Sequence, residues 1–226
     1  MRRPAASNVK ATREDWLAAA LMVLIADGVE NVKVLTLSRR LKVSRSSFYW
    51  YFKSRKDLLD QLLEHWRETN NHSIVAHARR PSKSVAEGVL YMFECWVDPD
   101  LFDPQLDFAI RAWARSSKAV RRIIDLADQE RVQAITEMYE RHGFSPEEAF
   151  VRARILYFMQ IGYYSLEISE TMNDRLSLVP AYVLGFSGQD ATPAELAAFV
   201  EFVAGTGAIA MPTRTGRRRK VAAVLP

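Results

Sequence analysis

The stretch that decides the fold runs from Thr36 to Leu59 and reads TLSRRLKVSRSSFYWYFKSRKDLL. Two short helical patterns flank a tight connection at Lys42-Val43. Ser44 is placed to cap the second helix, because a serine oxygen accepts the free backbone N–H groups of a first turn. Phe48 and Phe52 are four residues apart and share a helix face, so they can fill a small core. The stretch therefore predicts a helix-turn-helix unit.

Three further aromatic residues stand between these two phenylalanines, namely Tyr49, Trp50 and Tyr51. Successive residues of a helix point about 100° apart, so one helix cannot bury all three beside both phenylalanines. The cations around them, with no acid before Asp57, are Arg39, Arg40, Lys42, Arg45, Lys53, Arg55 and Lys56. A solvated basic face on an ordinary three-helix core is one reading. The serine hydroxyls, the aromatic triplet and the length of the unit favour DNA binding instead.

The segment from about Thr12 to Leu63 resembles the N-terminal DNA-binding domain of the TetR family of bacterial transcriptional regulators. The residues that carry the resemblance are Val43-Ser44, Phe48-Tyr49, Phe52 and Leu58-Leu59. The sequence departs from the family pattern at three positions, where Lys42 replaces a turn glycine, Ser38 replaces a packing alanine and Arg55 replaces a lysine.

This resemblance, together with the residue chemistry, predicts a division of roles within the DNA-binding set. Base edges are assigned to Arg45, Ser46 and Ser47, beside Ser44 at the start of the helix. Phosphates are assigned to Thr36, Tyr49, Lys53 and Arg55. Trp50 and Tyr51 are expected to pack against sugars or thymine methyl groups.

Charge is distributed unevenly along the 226 residues. Residues 1–80 hold 15 Lys and Arg against 8 Asp and Glu, a net charge of +7, whereas residues 81–210 carry −8 and the tail from Met211 carries +5. This asymmetry is expected when the N-terminal part meets a polyanion. The N-terminal arm, with Arg2, Arg3 and Lys10, either reaches DNA or is merely a solvated terminus.

Helix signals continue to the end of the chain, and no strand-like alternation competes with them, so the predicted fold class is all-α. Capping signals open helices at Thr12, Ser54, Ser84, Asp103, Ser145 and Thr192. The helix after Ser54 is expected to run unbroken to about Ala78, and a weaker candidate covers residues 176–186. The predicted domains are residues 1–53 for DNA binding, 54–210 for effector binding and dimerisation, and 211–226 as a basic tail.

The helix after Ser145 contains ILYFMQIGYYSL, which is apolar on all sides. Such a helix is buried on all sides, either inside one large core or between its own core and a second subunit. The family resemblance implies a four-helix bundle formed by two subunits, so a homodimer is expected. Ala149, Ala153 and Gly162 are small enough to allow close approach at that interface.

The C-terminal part is rich in large aromatic residues, and a subset is expected to line a cavity for a small-molecule effector. The predicted lining residues are Phe93, Trp96, Phe108, Arg111, Trp113, Tyr157, Gln160 and Tyr164. For each of them a plain core role is the alternative. The resemblance implies that an effector bound between the helix after Ser54 and the helix after Ser145 tilts the former.

Residue types argue against other classes of function. The four histidines are poorly spaced for a metal, and no phosphate loop or nucleophile elbow occurs, so no catalytic residue, metal or cofactor is predicted. Cys95 lies in an apolar helix as a core thiol or, alternatively, a redox sensor. One cysteine, the lack of a secretory leader and the lack of a membrane span predict a cytoplasmic protein.

The leading hypothesis is therefore a homodimeric, ligand-responsive transcriptional regulator, expected to be a repressor, that reads a palindromic double-stranded DNA operator. The alternative is a sequence-nonspecific architectural DNA-binding protein. It would clamp DNA with the basic N-terminal domain, residues 1–53 (hereafter the head), and with the tail residues Arg217–Lys220. An all-α enzyme with a vestigial head lacks any set of catalytic residues that the sequence can name.

Overall fold

A computed structural model describes residues 11–207, in which every regular element is a helix. The α-helices are α1 (Arg13–Asp27), α2 (Val34–Leu41), α3 (Arg55–Trp66), α4 (His72–Arg79), α5 (Val85–Val97), α6 (Pro104–Ala114), α7 (Lys118–Arg141), α8 (Pro146–Ser165), α9 (Met172–Ser187) and α10 (Pro193–Gly205). Three shorter elements are 3₁₀ turns at Val29–Asn31 and Arg45–Trp50 and a π-helical turn at Arg67–Asn71. The predicted contacts of the N-terminal arm and of the tail from Met211 lie outside the described residues.

The N-terminal helices form because their ends are capped and their apolar faces meet. Thr12 and Asp15 form a reciprocal capping box at the start of α1, and Gly28 ends the helix with a φ of 78°. The side chains of Phe48 and Phe52 are fully buried, with ring centroids 5.1 Å apart. Trp16 of α1 packs edge-on against Phe48 at 5.3 Å. The predicted small core of the head is confirmed.

A long helical rod leads from this head into the rest of the molecule. It consists of α3, the π-helical turn Arg67–Asn71 (hereafter the π segment) and α4, which follow one another without a break. The predicted single helix is therefore present, but its hydrogen bonding changes in the middle. Asn70 donates to the Asp103 carbonyl at 2.7 Å and accepts from the Asp103 amide at 3.2 Å. These two bonds fix the π segment against the start of α6.

The buried apolar side chains fall into two clusters. One joins α1, α2, α3 and the Arg45–Trp50 turn to α6 and the first half of α7, through residues such as Leu106 and Ile124. The other joins α4, α5, α8, α9 and α10 to the second half of α7. The head thus packs directly on α6 and α7, and the rod crosses from one cluster to the other. The domain limits at residues 53 and 210 remain predictions.

The remaining helix signals predicted from sequence are confirmed by the caps observed. The side chains of Ser54, Ser84, Asp103, Ser145 and Thr192 all accept a backbone amide of the first turn of their helices. The weaker candidate helix at residues 176–186 is also present, as the longer α9, which begins after a Thr171–Asp174 capping box. Local capping chemistry therefore determines where each of these helices begins.

Candidate nucleic-acid interface and ligand cavity

The turn before the recognition segment (Arg45–Trp50) has a left-handed conformation. Lys42 ends α2 with φ 58° and ψ 36°, and the Val43 amide donates to the Ser38 carbonyl at 3.0 Å. This reversal directs the recognition segment away from α2. Lysine therefore occupies a backbone geometry that favours glycine, as the departure from the family pattern anticipates.

The recognition segment has 3₁₀ rather than α hydrogen bonding. Ser44 stands at its N-cap position, but its side chain accepts no backbone amide, so the predicted Ser44 cap is wrong. The hydroxyl lies instead 2.8 Å from the Ser46 hydroxyl, and the Ser47 hydroxyl donates to the Ser44 carbonyl at 2.7 Å. The hydroxyls of Ser44 and Ser46 form an exposed pair at the N-terminal end of the recognition segment, and Arg45 between them is also exposed.

The three aromatic residues of the recognition segment and its C-cap are uncovered, as the sequence predicts. Tyr49 is 61%, Trp50 70% and Tyr51 36% exposed. Tyr49 rests edge-on against the buried ring of Phe48 at 5.2 Å, which fixes the direction of its hydroxyl. Such a set of large exposed rings on one short segment is typical of a surface that a partner covers.

The cations beside these rings are mostly unpaired. Within residues 11–207, Arg39, Lys42 and Arg45 form no ion pair with an acid. The Lys53 amide donates to the Asp57 carboxylate at 2.8 Å, which lowers the pKa of Asp57 and anchors the chain at the start of α3. Lys53 keeps an exposed ammonium group.

Arg55 is placed differently from its prediction as a phosphate contact. Its Nε donates to the Val32 carbonyl at 2.7 Å and its Nη2 to the Val29 carbonyl at 2.6 Å. The guanidinium thus ties α3 to the loop before α2. Thr36 is half-buried on α2. The geometry leaves Arg45, Ser46, Tyr49, Trp50 and Lys53 as the groups best placed to meet DNA.

A cavity of about 60 Å³ lies between α5, α8, α9 and α10. Of the eight predicted lining residues, Phe93, Trp96 and Gln160 line it. Most of the lining residues that the sequence did not predict lie on α9 or just before it, namely Glu170, Met172, Arg175, Leu176, Val179 and Tyr182. The others are Val97 of α5, Met159 and Tyr163 of α8, and Phe199 of α10. The helical signal for residues 176–186 marked α9, but its pattern did not show which face turns inward.

The other five predicted ligand contacts are elsewhere. Phe108 and Trp113 line an open surface groove between α1 and α6, and Tyr164 lies behind the cavity wall, where its hydroxyl donates to the Trp96 carbonyl at 2.9 Å. Arg111 and Tyr157 belong to a buried ionic network. These five therefore do not line this cavity. Helix spacing alone does not separate a wall from the layer behind it.

The ionic network joins the rod to α6, α7 and α8. Asp107 is fully buried and accepts from Trp66 Nε1 at 2.8 Å, Arg111 Nε at 2.7 Å and Arg131 Nη1 at 3.2 Å. Burial raises the pKa of Asp107, but Arg131 and Arg111 outweigh it, so the pKa is lowered overall. The Tyr157 hydroxyl completes the network, because it accepts from Arg131 at 2.9 Å.

The network also reaches the π segment and, near the cavity, the middle of α8. Arg131 Nε donates to Asn71 Oδ1 at 3.0 Å, and Arg111 holds Asp128 with two bonds at 2.7 and 2.9 Å. Tyr157, which donates to Asp128 at 2.6 Å, is one helical turn from the cavity residue Gln160. Cavity, network and rod are therefore connected by contiguous contacts.

One face of α8 and the adjoining face of α9 are apolar and uncovered. On α8 the exposed fractions are 49% for Val151, 55% for Ile155 and 48% for Phe158, and α9 adds Leu178 and Leu184. Ala149 and Ala153 are fully buried in the chain's own core, so their predicted place at a subunit interface is wrong. Gly162 has open space around its Cα and stays a candidate for that interface.

Two other classes of site are absent from the part of the chain that the structure describes. Residues 11–207 hold no group of three or more His, Cys, Asp or Glu placed to bind a metal ion. No helix among them is both long and apolar enough to span a bilayer. Cys95 is buried, and burial raises the pKa of its thiol to about 12, which is typical of an unreactive core cysteine.

Comparison with known proteins identifies relatives of the head and of the fold. The sequence profile of the family described as "Bacterial regulatory proteins, tetR family" matches residues 17–62. The chain is 33% identical over 63 residues to the Pseudomonas putida protein "Uncharacterized HTH-type transcriptional regulator TtgW", a match that covers 28% of this chain and 47% of that protein. It is 32% identical over 63 residues to the Pseudomonas putida "HTH-type transcriptional regulator SrpR", covering 28% of this chain and 30% of that protein. The match thus spans less than half the length of either relative.

Two solved structures resemble the whole fold. Salmonella enterica GusR superposes with a TM-score of 0.53 at 13% identity, covering 90% of this chain and 98% of that one. A putative TetR-family transcriptional regulator from Rhodococcus sp. gives a TM-score of 0.54 at 17% identity, covering 78% of this chain and 96% of that one. At these identities the likeness concerns the fold alone, and it includes the helices that follow the head.

Proposed function

We propose that this chain, whose residues 17–62 match the TetR family of bacterial regulatory proteins, is a homodimeric, ligand-responsive transcriptional repressor. It acts in the cytoplasm on a palindromic operator and leaves the DNA when a small molecule occupies the cavity of the C-terminal helices. The observation that carries the proposal is the uncovered set of rings and unpaired cations on and around the recognition segment.

DNA recognition in this proposal follows from the position of each group. Arg45 and Ser46, exposed at the start of the recognition segment, read base edges in the major groove, together with the less exposed Ser47. Tyr49 and Lys53 bind phosphates on either side of that groove. Trp50 and Tyr51 cover sugars or thymine methyl groups. A two-fold dimer then places two such segments one helical turn of DNA, about 34 Å, or a multiple of it apart.

The response to a ligand is proposed to pass along the contacts between cavity and rod. A molecule between α5, α8 and α9 displaces α8, and Tyr157 carries that displacement into the network around Arg131. Asn71 and Trp66 are bound to the same network, so the rod shifts relative to α6 and α7. A change of rod angle alters the separation of the two recognition segments. A ligand that prefers the shifted state by about 3 kcal/mol weakens operator binding on the order of a hundredfold.

The test begins with selection of binding sites from random double-stranded DNA. We expect an enriched inverted repeat, and we expect Tyr49→Ala to lower affinity for it on the order of tenfold, since a bond to a phosphate is lost. Tyr49→Phe keeps the ring against Phe48 and removes only the hydroxyl, so it separates the two contributions. Affinity is measured by fluorescence anisotropy, and dimer mass by sedimentation.

Lys53→Ala provides a second arm with a matched control. It removes an ammonium group beside the recognition segment, whereas Lys83→Ala removes the same group before α5. Lys53→Ala should lower affinity and reduce the slope of affinity against salt, while Lys83→Ala changes neither. No enriched sequence, with affinity set by salt alone, would select the architectural DNA-binding protein instead.

A further inference from the structure

The inner wall of the cavity between α5, α8, α9 and α10 is almost entirely apolar. It is formed by Phe93 and Trp96 of α5, Val179 of α9 and Phe199 of α10. The ring of Phe93 stands edge-on to that of Phe199 at 6.3 Å and tilted to that of Trp96 at 6.1 Å. Flat ring faces and edges at this spacing favour an aromatic guest, because aromatic pairs prefer such offset and edge-on arrangements.

One polar group interrupts this wall. Gln160 is only 6% exposed, and its side-chain amide nitrogen makes no hydrogen bond within the described residues. Burial raises the pKa of the neighbouring Tyr164 hydroxyl, and a weak hydrogen-bonding contact with Gln160 lowers it, but that contact is too long or too bent to satisfy the amide nitrogen. A buried donor without an acceptor is uncommon in folded proteins and is costly when it persists.

The two charged residues of the cavity, Glu170 and Arg175, are only half-buried, and both contact Tyr163. The Tyr163 hydroxyl donates to Glu170 at 2.9 Å, and the Arg175 guanidinium lies 5.4 Å from the centre of the Tyr163 ring. None of the inner-wall residues carries a charge. An ion placed against that wall would lose its water without gaining a partner. The part of a guest that reaches the inner wall is therefore uncharged.

The present volume limits the size of the guest. About 60 Å³ is room for roughly two waters, whereas an apolar protein cavity that binds benzene has a volume of about 150 Å³. A ring can enter only when a wall moves. Met172 and Leu176, at the start of α9, form the part of the wall nearest the half-buried Glu170. Entry of a ring pushes α8 and this end of α9 apart.

We propose that this cavity binds a small, uncharged aromatic molecule whose carbonyl oxygen accepts a hydrogen bond from the amide nitrogen of Gln160. The inference rests on the proposed function in one respect, because it takes the bound molecule to be the effector that releases the DNA. Gln160 selects for the oxygen, and the rings of Phe93, Trp96 and Phe199 select for the aromatic body.

A pair of probes with nearly the same shape tests the hydrogen bond directly. Acetophenone carries a carbonyl group where α-methylstyrene carries a methylidene group. Isothermal titration calorimetry with the wild-type protein should give an affinity about tenfold higher for acetophenone, the effect of one satisfied buried donor. This comparison needs no variant, so it does not depend on whether a substitution at Gln160 folds.

Gln160→Met then removes the amide while keeping the length of the side chain. The preference for acetophenone should disappear, chiefly through weaker acetophenone binding. Gln133→Met is the matched control, because Gln133 is exposed on α7 and lines no described cavity. It should retain the full preference. Equal affinities in the wild-type protein, an unchanged preference in Gln160→Met, or no saturable binding of either probe would each overturn the inference.

Operator binding is measured separately, so that the two proposals can fail independently. Acetophenone binding that depends on Gln160 but leaves operator affinity unchanged supports the cavity inference and contradicts the ligand-responsive part of the proposed function. Release of the operator by acetophenone and α-methylstyrene alike, with no dependence on Gln160, supports ligand response and contradicts the role of the amide.

Discussion

Asp107 carries its charge in the interior of the molecule, out of contact with water. Trp66, Arg111 and Arg131 donate to its two oxygens, and Arg131 is itself fully buried. The importance of such a group for stability shows mainly when it is removed. Removing one partner of a buried ion pair leaves the other charge without compensation, which is more costly than the pair is favourable.

Asp107→Asn is therefore expected to lower the free energy of unfolding by about 3 kcal/mol at pH 7. The substitution keeps the shape of the side chain but leaves Arg131 with the Tyr157 hydroxyl, Asn71 and the more distant Asp128 as partners. Urea denaturation followed by circular dichroism measures the loss. Asp125→Asn is the control, because Asp125 pairs with Arg121 on the exposed surface of α7 and should change stability by less than about 1 kcal/mol.

The same pair of proteins gives a pH test. The pKa of Asp107 is lowered in the folded protein, so below the unfolded aspartate pKa of about 3.9 the unfolded chain takes up a proton that the native chain does not. The stability that Asp107 contributes is complete above about pH 5 and is lost as the pH falls through the folded-state pKa. The gap between wild type and Asp107→Asn should narrow below about pH 4. A gap that is constant down to pH 3 contradicts this assignment.

At the scale of single elements, the turn between α2 and the recognition segment depends on an unfavourable backbone at Lys42. A side chain in the left-handed region costs about 1–2 kcal/mol, and glycine avoids that cost but loses more chain entropy on folding, about 0.5–1 kcal/mol. Lys42→Gly should therefore raise the free energy of unfolding by about 0.5–1 kcal/mol. Lys42→Ala removes the same charge but keeps the Cβ, so it should give no such gain. Thermal or urea denaturation of the wild-type protein and the two variants measures the difference. If Lys42→Gly and Lys42→Ala change the free energy of unfolding equally, the change comes from the lost charge and not from the backbone.

Elements that are set by local chemistry could be predicted from the sequence. The caps at Thr12, Ser84 and Ser145 involve residues three apart, so the helices that they open were predicted correctly. The exposure of Trp50 could also be predicted, because one short helix cannot bury five aromatic rings at once. The π segment was not foreseen, because what fixes it is the contact of Asn70 with Asp103, 33 residues further along the chain.

The same reasoning separates the parts of the ligand site that were predicted from those that were not. Phe93 and Gln160 were identified because each lies in an apolar helix with few alternatives. Arg111 was assigned to the cavity as a polar group in apolar surroundings, yet its partner Asp128 lies 17 residues away on α7. A long-range ion pair has no periodic signal, so sequence patterns cannot distinguish a charge that awaits a ligand from one that is already compensated.

At the scale of the whole molecule, the exposed apolar residues of α8 and α9 set the distance between the two heads in the proposed homodimer. Ile155 and Phe158 are exposed about one turn apart on α8, and α9, which contacts α8, exposes Leu178 and Leu184. Exposed apolar side chains on two adjacent helices indicate an interaction site, and two helices from each of two chains are the elements of a four-helix bundle. Because α8 also carries Gln160 and Tyr157 on its inner side, the interface and the cavity share one helix.

Ile155→Glu is expected to convert the dimer into a monomer, since it places one charge from each subunit in the middle of the proposed bundle without a partner. Sedimentation equilibrium measures the mass, and Leu126→Glu is the control, because Leu126 is 66% exposed on the first half of α7, whose buried residues Ile124 and Ala127 pack with the head rather than with α8 and α9. The monomer retains the recognition segment but holds only one half-site at a time. Its affinity for the full inverted repeat should therefore fall to that of an isolated half-site. An Ile155→Glu protein that remains dimeric, or a Leu126→Glu protein that dissociates, would place the interface on another face and remove the basis for the predicted spacing of half-sites.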